Sequence, residues 1–302
     1  MKKIKIIVFG SNGFIGNYTA NYFHELGHEV LGCDLIEGEK NKYKFHKLKI
    51  ANYNVEEIFS SNQFDFCINA AGNGDVNKSI VAPTDDFESN VVFTLKILEA
   101  IRKSDSSCKY LHISSAAVYG NPTKLPISET DSLKPISPYG WHKLLSEQIC
   151  KEYFELYSIH SAIIRPFSVY GPRLRKQIMW DVFEKTKNNE NKLELWGTGE
   201  ETRDFVFIDD LIKSIELILL HSPMHADVYN IGSGEMSCIS DVVKILLEIL
   251  EKKNEIYFNG ITRIGNPLKW QSDISKIKNI GFIPSVNLYR GIQSLAIWLK
   301  SQ

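Results

Sequence analysis

Residues 4–34 read IKIIVFGSNGFIGNYTANYFHELGHEVLGCD. Ile4–Phe9 is a short run rich in β-branched residues that stops at Gly10, a pattern that predicts a buried strand. From Ile15 to Leu26 apolar residues recur at helical spacing, and Gly27 closes the segment. His28–Cys33 predicts a second strand, ending at Asp34. Strand, glycine turn, helix and strand in this order open a βαβ unit. The turn itself is Gly10-Ser11-Asn12-Gly13-Phe14-Ile15-Gly16, a GxxGxxG pattern. Glycine permits positive φ and close approach of a phosphate. A helix N-terminus offers free N–H groups to a pyrophosphate. Asp34 lies 18 residues past Gly16. There its carboxylate can accept hydrogen bonds from the ribose hydroxyls of NAD and would repel the 2′-phosphate of NADP.

The alternation continues along the chain. Asp65–Asn69 predicts a strand followed by Ala70-Ala71-Gly72, and 87–103 predicts a long helix. Tyr110–Ser114 predicts a strand, Pro138–Tyr157 a helix and Ser161–Arg165 another strand. Short buried runs between helices point to a parallel sheet covered on both faces. The expected fold is α/β, a Rossmann-type doubly wound parallel sheet with a smaller mixed C-terminal substrate lobe. Residues 1–171 form the expected NAD-binding domain, with 203–232 returning to it, and 172–302 the lobe. Within that lobe a helix is expected at 240–251, a strand near 256–258 and a last helix near 289–300.

The 302 residues are 43% hydrophobic and 24% charged, the composition of an ordinary folded protein. With 35 Lys+Arg against 36 Asp+Glu the net charge is −1. That balance argues against a nucleic-acid or anionic-membrane coat, and leaves room for a small basic pocket. The five cysteines are scattered and form no CxxC pair, so reduced thiols in the cytoplasm are expected and no metal site. No stretch approaches the roughly 20 apolar residues of a membrane helix.

Tyr139 and Lys143 stand four apart in a predicted helix and so share one face. A tyrosine with a pKa of about 10 is a poor base at neutral pH. A neighbouring ammonium and the positive nicotinamide ring of NAD both favour its ionised form. The pair can therefore act as general base and acid on an alcohol hydroxyl. Ser114 and Ser115 end the strand HISS, where a parallel sheet places functional side chains. A YxxxK spacing alone is common on surface helices. Its weight here comes from co-occurrence with the glycine turn and the serine strand end.

Further motifs follow in order: FGSNGFIG (9–16), NAAG (69–72), SSAAVYG (114–120), SPYGWHK (137–143), RPFSVYGP (165–172), GTGEETRDFVFIDD (197–210), YNIGSG (229–234) and SDISK (272–276). On these motifs nearly the whole chain resembles the extended short-chain dehydrogenase/reductases, in particular the NAD-dependent nucleotide-sugar epimerase/dehydratase group. The resemblance implies that Ser115, Tyr139 and Lys143 are catalytic, with Lys143 also on the nicotinamide ribose. It implies that Gly10, Asn12, Gly13, Phe14, Ile15, Gly16, Asp34, Ala70 and Ala71 hold NAD. It places Ser114, Ser168, Arg173, Arg203 and Arg263 on a nucleotide-diphosphate sugar, the last two arginines at the diphosphate. Arg173 and Arg175 stay open between a substrate loop and solvated surface, and Arg165 is expected to buttress the site. Departures from the family pattern are Ser168 in place of Asn, Lys49-Ile50 in place of an adenine-binding acid, and Gly265-Asn266 in place of Gly-Asp. Trp270 stays open between the sugar pocket and the core.

By this resemblance the expected reaction is oxidation at sugar C4. A 4-epimerase is the first reading and a 4-ketoreductase or 4-dehydrogenase the second. A 4,6-dehydratase or uronate decarboxylase is disfavoured because Ala116-Ala117 follow Ser115, where an acid is usual. A non-catalytic NAD or nucleotide sensor would be expected to lack Tyr139 or Lys143. The resemblance also implies a homodimer through the helices at 87–103 and 138–157. These offer Val91, Leu95 and Leu98 on one, and Leu144, Cys150 and Phe154 on the other, although either set could face the sheet.

Overall fold

The structure is a computed structural model that describes residues 3–38, 42–49, 53–104, 107–187, 192–261, 265 and 267–302. The first six strands are β1 (Lys5–Phe9), β2 (Glu29–Asp34), β3 (Lys44–Lys47), β4 (Phe66–Asn69), β5 (Lys109–Ile113) and β6 (Ser161–Pro166). Four short ones follow, β7 (Ser168–Tyr170), β8 (Lys192–Leu195), β9 (Thr202–Arg203) and β10 (Phe205–Phe207). Then come β11 (His225–Ile231), β12 (Ser237–Cys238) and β13 (Glu255–Phe258). Seven strands form one sheet in the order β11-β6-β5-β4-β1-β2-β3, every neighbouring pair parallel. The short strands pair as β10 with β7, β12 with β9 and β13 with β8.

Between the strands run α1 (Phe14–Glu25), α2 (Val55–Ser61), α3 (Val76–Val81), α4 (Pro83–Phe87), α5 (Phe93–Lys103) and α6 (Pro138–Tyr157). The later helices are α7 (Gln177–Thr186), α8 (Ile208–His221), α9 (Ile239–Ile249), α10 (Ser275–Lys278) and α11 (Leu288–Leu299). A π turn, Glu88–Val92, joins α4 to α5. The helical segment expected at 87–103 therefore starts earlier and changes its winding midway.

The sheet is apolar on both faces because its side chains alternate between two cores. Ile6, Val8, Ile68, Leu111 and Ile164 face one core with Ala20 and Phe23 of α1 and Leu211 and Ile215 of α8. Ile7, Phe9, Cys67, Tyr110 and Ile163 face the other with Ile58 of α2, Ile97 of α5 and Cys150 of α6. The chain leaves β1 toward β2 on one side and toward β4 on the other. That reversal opens a crevice at the carboxyl ends of β1 and β4, where α/β sheets bind ligands.

The two helices proposed for dimerisation turn three of their six nominated residues inward. Val91, Leu98 and Cys150 are buried. Of the nominated residues Leu95 is exposed, and it is joined outside by Phe87, Trp141 and Leu145, with Trp141 52% exposed; Leu156 and Tyr157 are exposed at the far end of α6.

Arg165 of β6 and Glu147 of α6 form an ion pair at 2.6 Å with both side chains withdrawn from solvent. Burial alone would lower the arginine pKa, but the Glu147 hydrogen bonds and charge hold it above its ordinary value. Arg165 also donates to the Tyr119 hydroxyl at 2.8 Å and to the Glu129 carbonyl at 3.2 Å. Glu147 accepts from the Ser114 hydroxyl at 2.5 Å. One pair thus joins α6, the end of β5, β6 and the loop before α6. Glu147→Ala would leave a buried guanidinium uncompensated, and urea unfolding should show a loss of about 3–5 kcal/mol.

Candidate active site

The turn after β1 fits around the crevice. Gly10 has φ +73°, and a Cβ there would lie 2.6 Å from the Ala71 nitrogen and 2.7 Å from the Ala70 carbonyl. A Cβ on Gly16 would lie 2.0 Å from the Gly10 oxygen, so α1 can pack against the turn only with glycine there. At Gly13 a Cβ meets the Gly10 oxygen alone, at 3.2 Å, leaving the outer face open. No side chain caps the first turn of α1. Phe14, Ile15 and Gly16 therefore offer backbone N–H groups beside an open approach, the requirement for a pyrophosphate.

Asp34 ends β2 with one carboxylate oxygen held by the Asn12 N–H at 2.9 Å. The Asn12 amide also donates to the Ile36 carbonyl at 2.5 Å. Asp34 is thereby fixed beside the turn as an acceptor for ribose hydroxyls. Ala70 and Ala71 continue from β4, with the Ala70 N–H on the Phe9 carbonyl at 3.0 Å and the Ala71 N–H on Asn69 Oδ1 at 3.1 Å. These residues fit NAD by an open phosphate cradle and a fixed acid at the ribose end.

Ser115, Tyr139 and Lys143 come together one strand further along. Ser115 follows β5, starts the 3₁₀ turn Ala116–Tyr119 and accepts from the Ala117 N–H at 3.1 Å. Ser137 caps α6, with Pro138 in its first turn. A Cβ on Gly140 would lie 2.7 Å from the Ala117 carbonyl, so glycine lets α6 approach the serine turn. Ser79 of α3, which is buried, accepts from the Tyr139 N–H at 3.1 Å. Sequence reasoning did not single out Gly140 or Ser79; the glycine of SPYGWHK was the available signal.

Burial pushes the Tyr139 hydroxyl up to about 12, partly offset by its hydrogen bond with Ser115, while Asp86 adds to the rise. Lys143 is pulled the other way, to about 8, chiefly by burial. Its ammonium donates to the Ile113 carbonyl at 2.9 Å and lies 5.8 Å from the centre of the Tyr139 ring. Burial thus favours the neutral form of both groups.

The other nominated residues separate. Ser114 is not brought into the cleft: its hydroxyl is buried and committed to Glu147. Arg173, with φ +74°, donates to Asn17 of α1 at 2.9 Å and so sits on the cofactor helix. Arg175 donates to Gln302 at 2.5 Å and lies beside Trp180 and Trp298, at the far helices. Ser168 is half-buried in β7. Arg203 lies 5.6 Å over the Trp270 ring and donates to the Thr202 carbonyl at 2.8 Å. Burial lowers its pKa to about 10, with Glu201 acting only through charge. Among the described residues no carboxylate forms an ion pair with Arg203. Trp270 is buried, donates to the Gly120 carbonyl at 3.1 Å and packs on Phe167, and so serves the core beside the cleft. Arg263, Ile50 and Asn266 lie outside the described residues. The sequence reading also passed over Lys176, which reaches the Gly74 carbonyl at 3.2 Å, and Asp86, paired with His142 at 2.5 Å.

Residues 6–232 match the model of the NAD dependent epimerase/dehydratase family. A Methanocaldococcus jannaschii protein provisionally assigned as a UDP-glucose 4-epimerase is 31% identical over 310 residues, 98% of each chain. The UDP-glucuronate 4-epimerase of Thermodesulfobacterium geofontis is 26% identical, covering 97% of this chain and 95% of its own. The crystal structure of UDP-glucuronic acid 4-epimerase from Bacillus cereus, in complex with UDP-glucuronic acid and NAD, superposes with a TM-score of 0.90. It is 27% identical and covers 99% of each chain. The chain belongs to the NAD-dependent epimerase/dehydratase family, and it is an enzyme whose cofactor is NAD. Among the described residues no helix is long and apolar enough to cross a membrane.

Lys143 has a definite pH consequence in the cofactor-free protein. Its folded pKa of about 8 lies below the ordinary lysine value of 10.5. The penalty for burying its charge is complete below the folded value and vanishes above the unfolded one. Lys143→Met should therefore raise thermal stability at neutral pH, and this gain should fade as pH climbs from about 8 to 10.5 in thermal melts.

Proposed function

We propose that the protein is a nucleotide-sugar 4-epimerase working through a transient 4-keto sugar. The carrying observation is the convergence of Ser115, Tyr139 and Lys143 beside the NAD crevice, with Ala116 and Ala117 directly after the serine. Removal of a C5 proton, which a dehydratase needs, has no acid or base at positions 116 and 117, and the buried Tyr119 hydroxyl of the same turn is committed to Asn230 and Arg165. Arg203, half-buried and without an ion-pair partner among the described residues, is suited to a diphosphate. The relatives named as acting on UDP-glucose and UDP-glucuronic acid support a UDP-sugar substrate.

Bound NAD supplies the hydride acceptor and donor. Tyr139 takes the proton of the C4 hydroxyl and later returns it from the same oxygen. Ser115 holds the reacting oxygen in line through its hydroxyl. Lys143, held by the Ile113 carbonyl here, would also meet a cofactor ribose hydroxyl, and its positive charge would favour tyrosinate. Arg203 retains the diphosphate while the ketone presents its other face. Arg173 serves the cofactor side, given its contact with Asn17. Residues 1–171 with 203–232 hold NAD, and the rest of the C-terminal lobe holds the nucleotide sugar.

The enzyme acts in the cytoplasm as a homodimer. Its interface uses the outward Phe87, Leu95, Trp141 and Leu145, whose exposure on adjoining helices supports this face. Trp141→Glu with Leu145→Glu should convert the dimer to a monomer on size-exclusion chromatography with light scattering.

The epimerase reading is tested with UDP-galactose and UDP-glucuronic acid, following C4 epimers by NMR. Interconversion without net NADH use is expected. Tyr139→Phe should lower turnover about 10²–10⁴-fold. Arg203→Ala should raise KM about tenfold or more with a smaller effect on kcat, because the diphosphate is bound throughout. Consumption of one NADH per 4-keto sugar, without epimer exchange, would instead identify a reductase.

A further inference from the structure

We infer that Asp86 is a positioning residue that, through His142 and Asn73, clamps the catalytic turn of α6 to the cofactor loop after β4. The role rests on the proposed catalytic function of Tyr139 and Lys143. Asp86 is 1% exposed, an expensive place for a carboxylate unless both oxygens are satisfied. One oxygen accepts from the Asn73 amide at 2.7 Å, and the other pairs with His142 Nδ1 at 2.5 Å. Asn73 follows Ala70-Ala71-Gly72, the loop at the crevice, and His142 directly precedes Lys143. The same carboxylate thus grips both walls of the site.

The surrounding bonds stiffen the clamp. The Asp86 carbonyl accepts from Asn90 at 3.1 Å and Ser89 at 3.2 Å. Ser146 of α6 donates to the Asn90 carbonyl at 3.0 Å. That carbonyl lies in the π turn and also accepts from the Thr94 hydroxyl at 2.7 Å. Phe87 meets the His142 ring edge-on at 5.3 Å. A tie that served helix packing alone could be made by apolar residues at lower desolvation cost.

The charge of Asp86 also reaches the chemistry. It favours the protonated forms of both Tyr139 and Lys143. The charged and titratable groups around the pair are Asp85 on α4 itself, Lys78 on α3, Glu88 on the π turn, Tyr139, His142, Lys143 and Glu147 on α6, and Lys176, whose charge acts on Lys143. Removing the charge while keeping the shape should therefore make tyrosinate easier to form.

Two readouts on the NAD-loaded protein need no sugar. The first is tyrosinate ultraviolet absorbance, assigned to Tyr139 by difference from Tyr139→Phe. In Asp86→Asn the midpoint should move down by about half a pH unit or more. His142→Gln, which keeps an N–H donor for Asp86, should leave it in place. The second is NAD affinity in Asn73→Ala, which retains the charge but loosens the loop; the dissociation constant should rise about tenfold, a factor equivalent to one lost hydrogen bond to a charged group. An unmoved Tyr139 titration in folded Asp86→Asn, or unchanged NAD affinity in Asn73→Ala, would overturn the clamp. Turnover of UDP-galactose or UDP-glucuronic acid by Tyr139→Phe at the parent rate would overturn the catalytic reading on which the clamp rests. An inactive Tyr139→Phe beside an Asp86→Asn that matches the parent would sink the clamp alone.

Discussion

A guanidinium removed from water must find fixed partners or destabilise the protein that buries it. Arg165 finds Glu147, Tyr119 and the Glu129 carbonyl, all within 3.2 Å. These partners come from α6, the turn after β5 and the loop before α6. Asn230 of β11 joins the same network by accepting from the Tyr119 hydroxyl at 2.7 Å, and its N–H donates to Glu129 at 2.8 Å. The arrangement fixes α6 relative to the strand ends. Tyr139 and Lys143 inherit their position from it, because they lie about two turns and one turn from Glu147 on the same helix.

Within that frame the site is tuned by competing terms. Burial raises Tyr139 to about 12 and lowers Lys143 to about 8, so it favours the neutral form of each. Ser115 offsets part of the cost at the tyrosine, and Asp86 pushes it back. A cationic cofactor ring is the charge that would tip the balance toward tyrosinate. The geometry therefore couples base strength to cofactor occupancy. Arg203 shows the same logic: a lowered pKa and the lack of an ion-pair partner among the described residues are costs that an anion would offset.

Two aspartates show why buried carboxylates near this cleft should not be read alike. Asp204 is saturated by Ser233, Gly234 and Ser272, which ties three C-terminal loops together. Its donors are backbone and hydroxyl groups away from Tyr139 and Lys143. Asp86 instead divides its two oxygens between the loop after β4 and the start of α6. Both are equally hidden from solvent, and only their partners distinguish a structural hub from a residue coupled to the chemistry.

By itself the sequence determined the repeated strand–helix plan, the glycine turn and the Ser115, Tyr139 and Lys143 positions. These features are local: β-branched runs, glycine spacing and a four-residue helical interval are written in consecutive residues. It missed β3 and the π turn, where short or irregular segments carry little periodic signal. It also grouped Ser114 with Ser115, although successive residues at a strand end point to opposite faces, and the partner that captured Ser114 is 33 residues away. The outward faces of α5 and α6, the turn of Arg173 toward α1 and the meeting of Asp86 with His142 depend on contacts between distant segments. Only the tertiary structure decided them, because which face of an element is buried depends on what the rest of the chain packs against it.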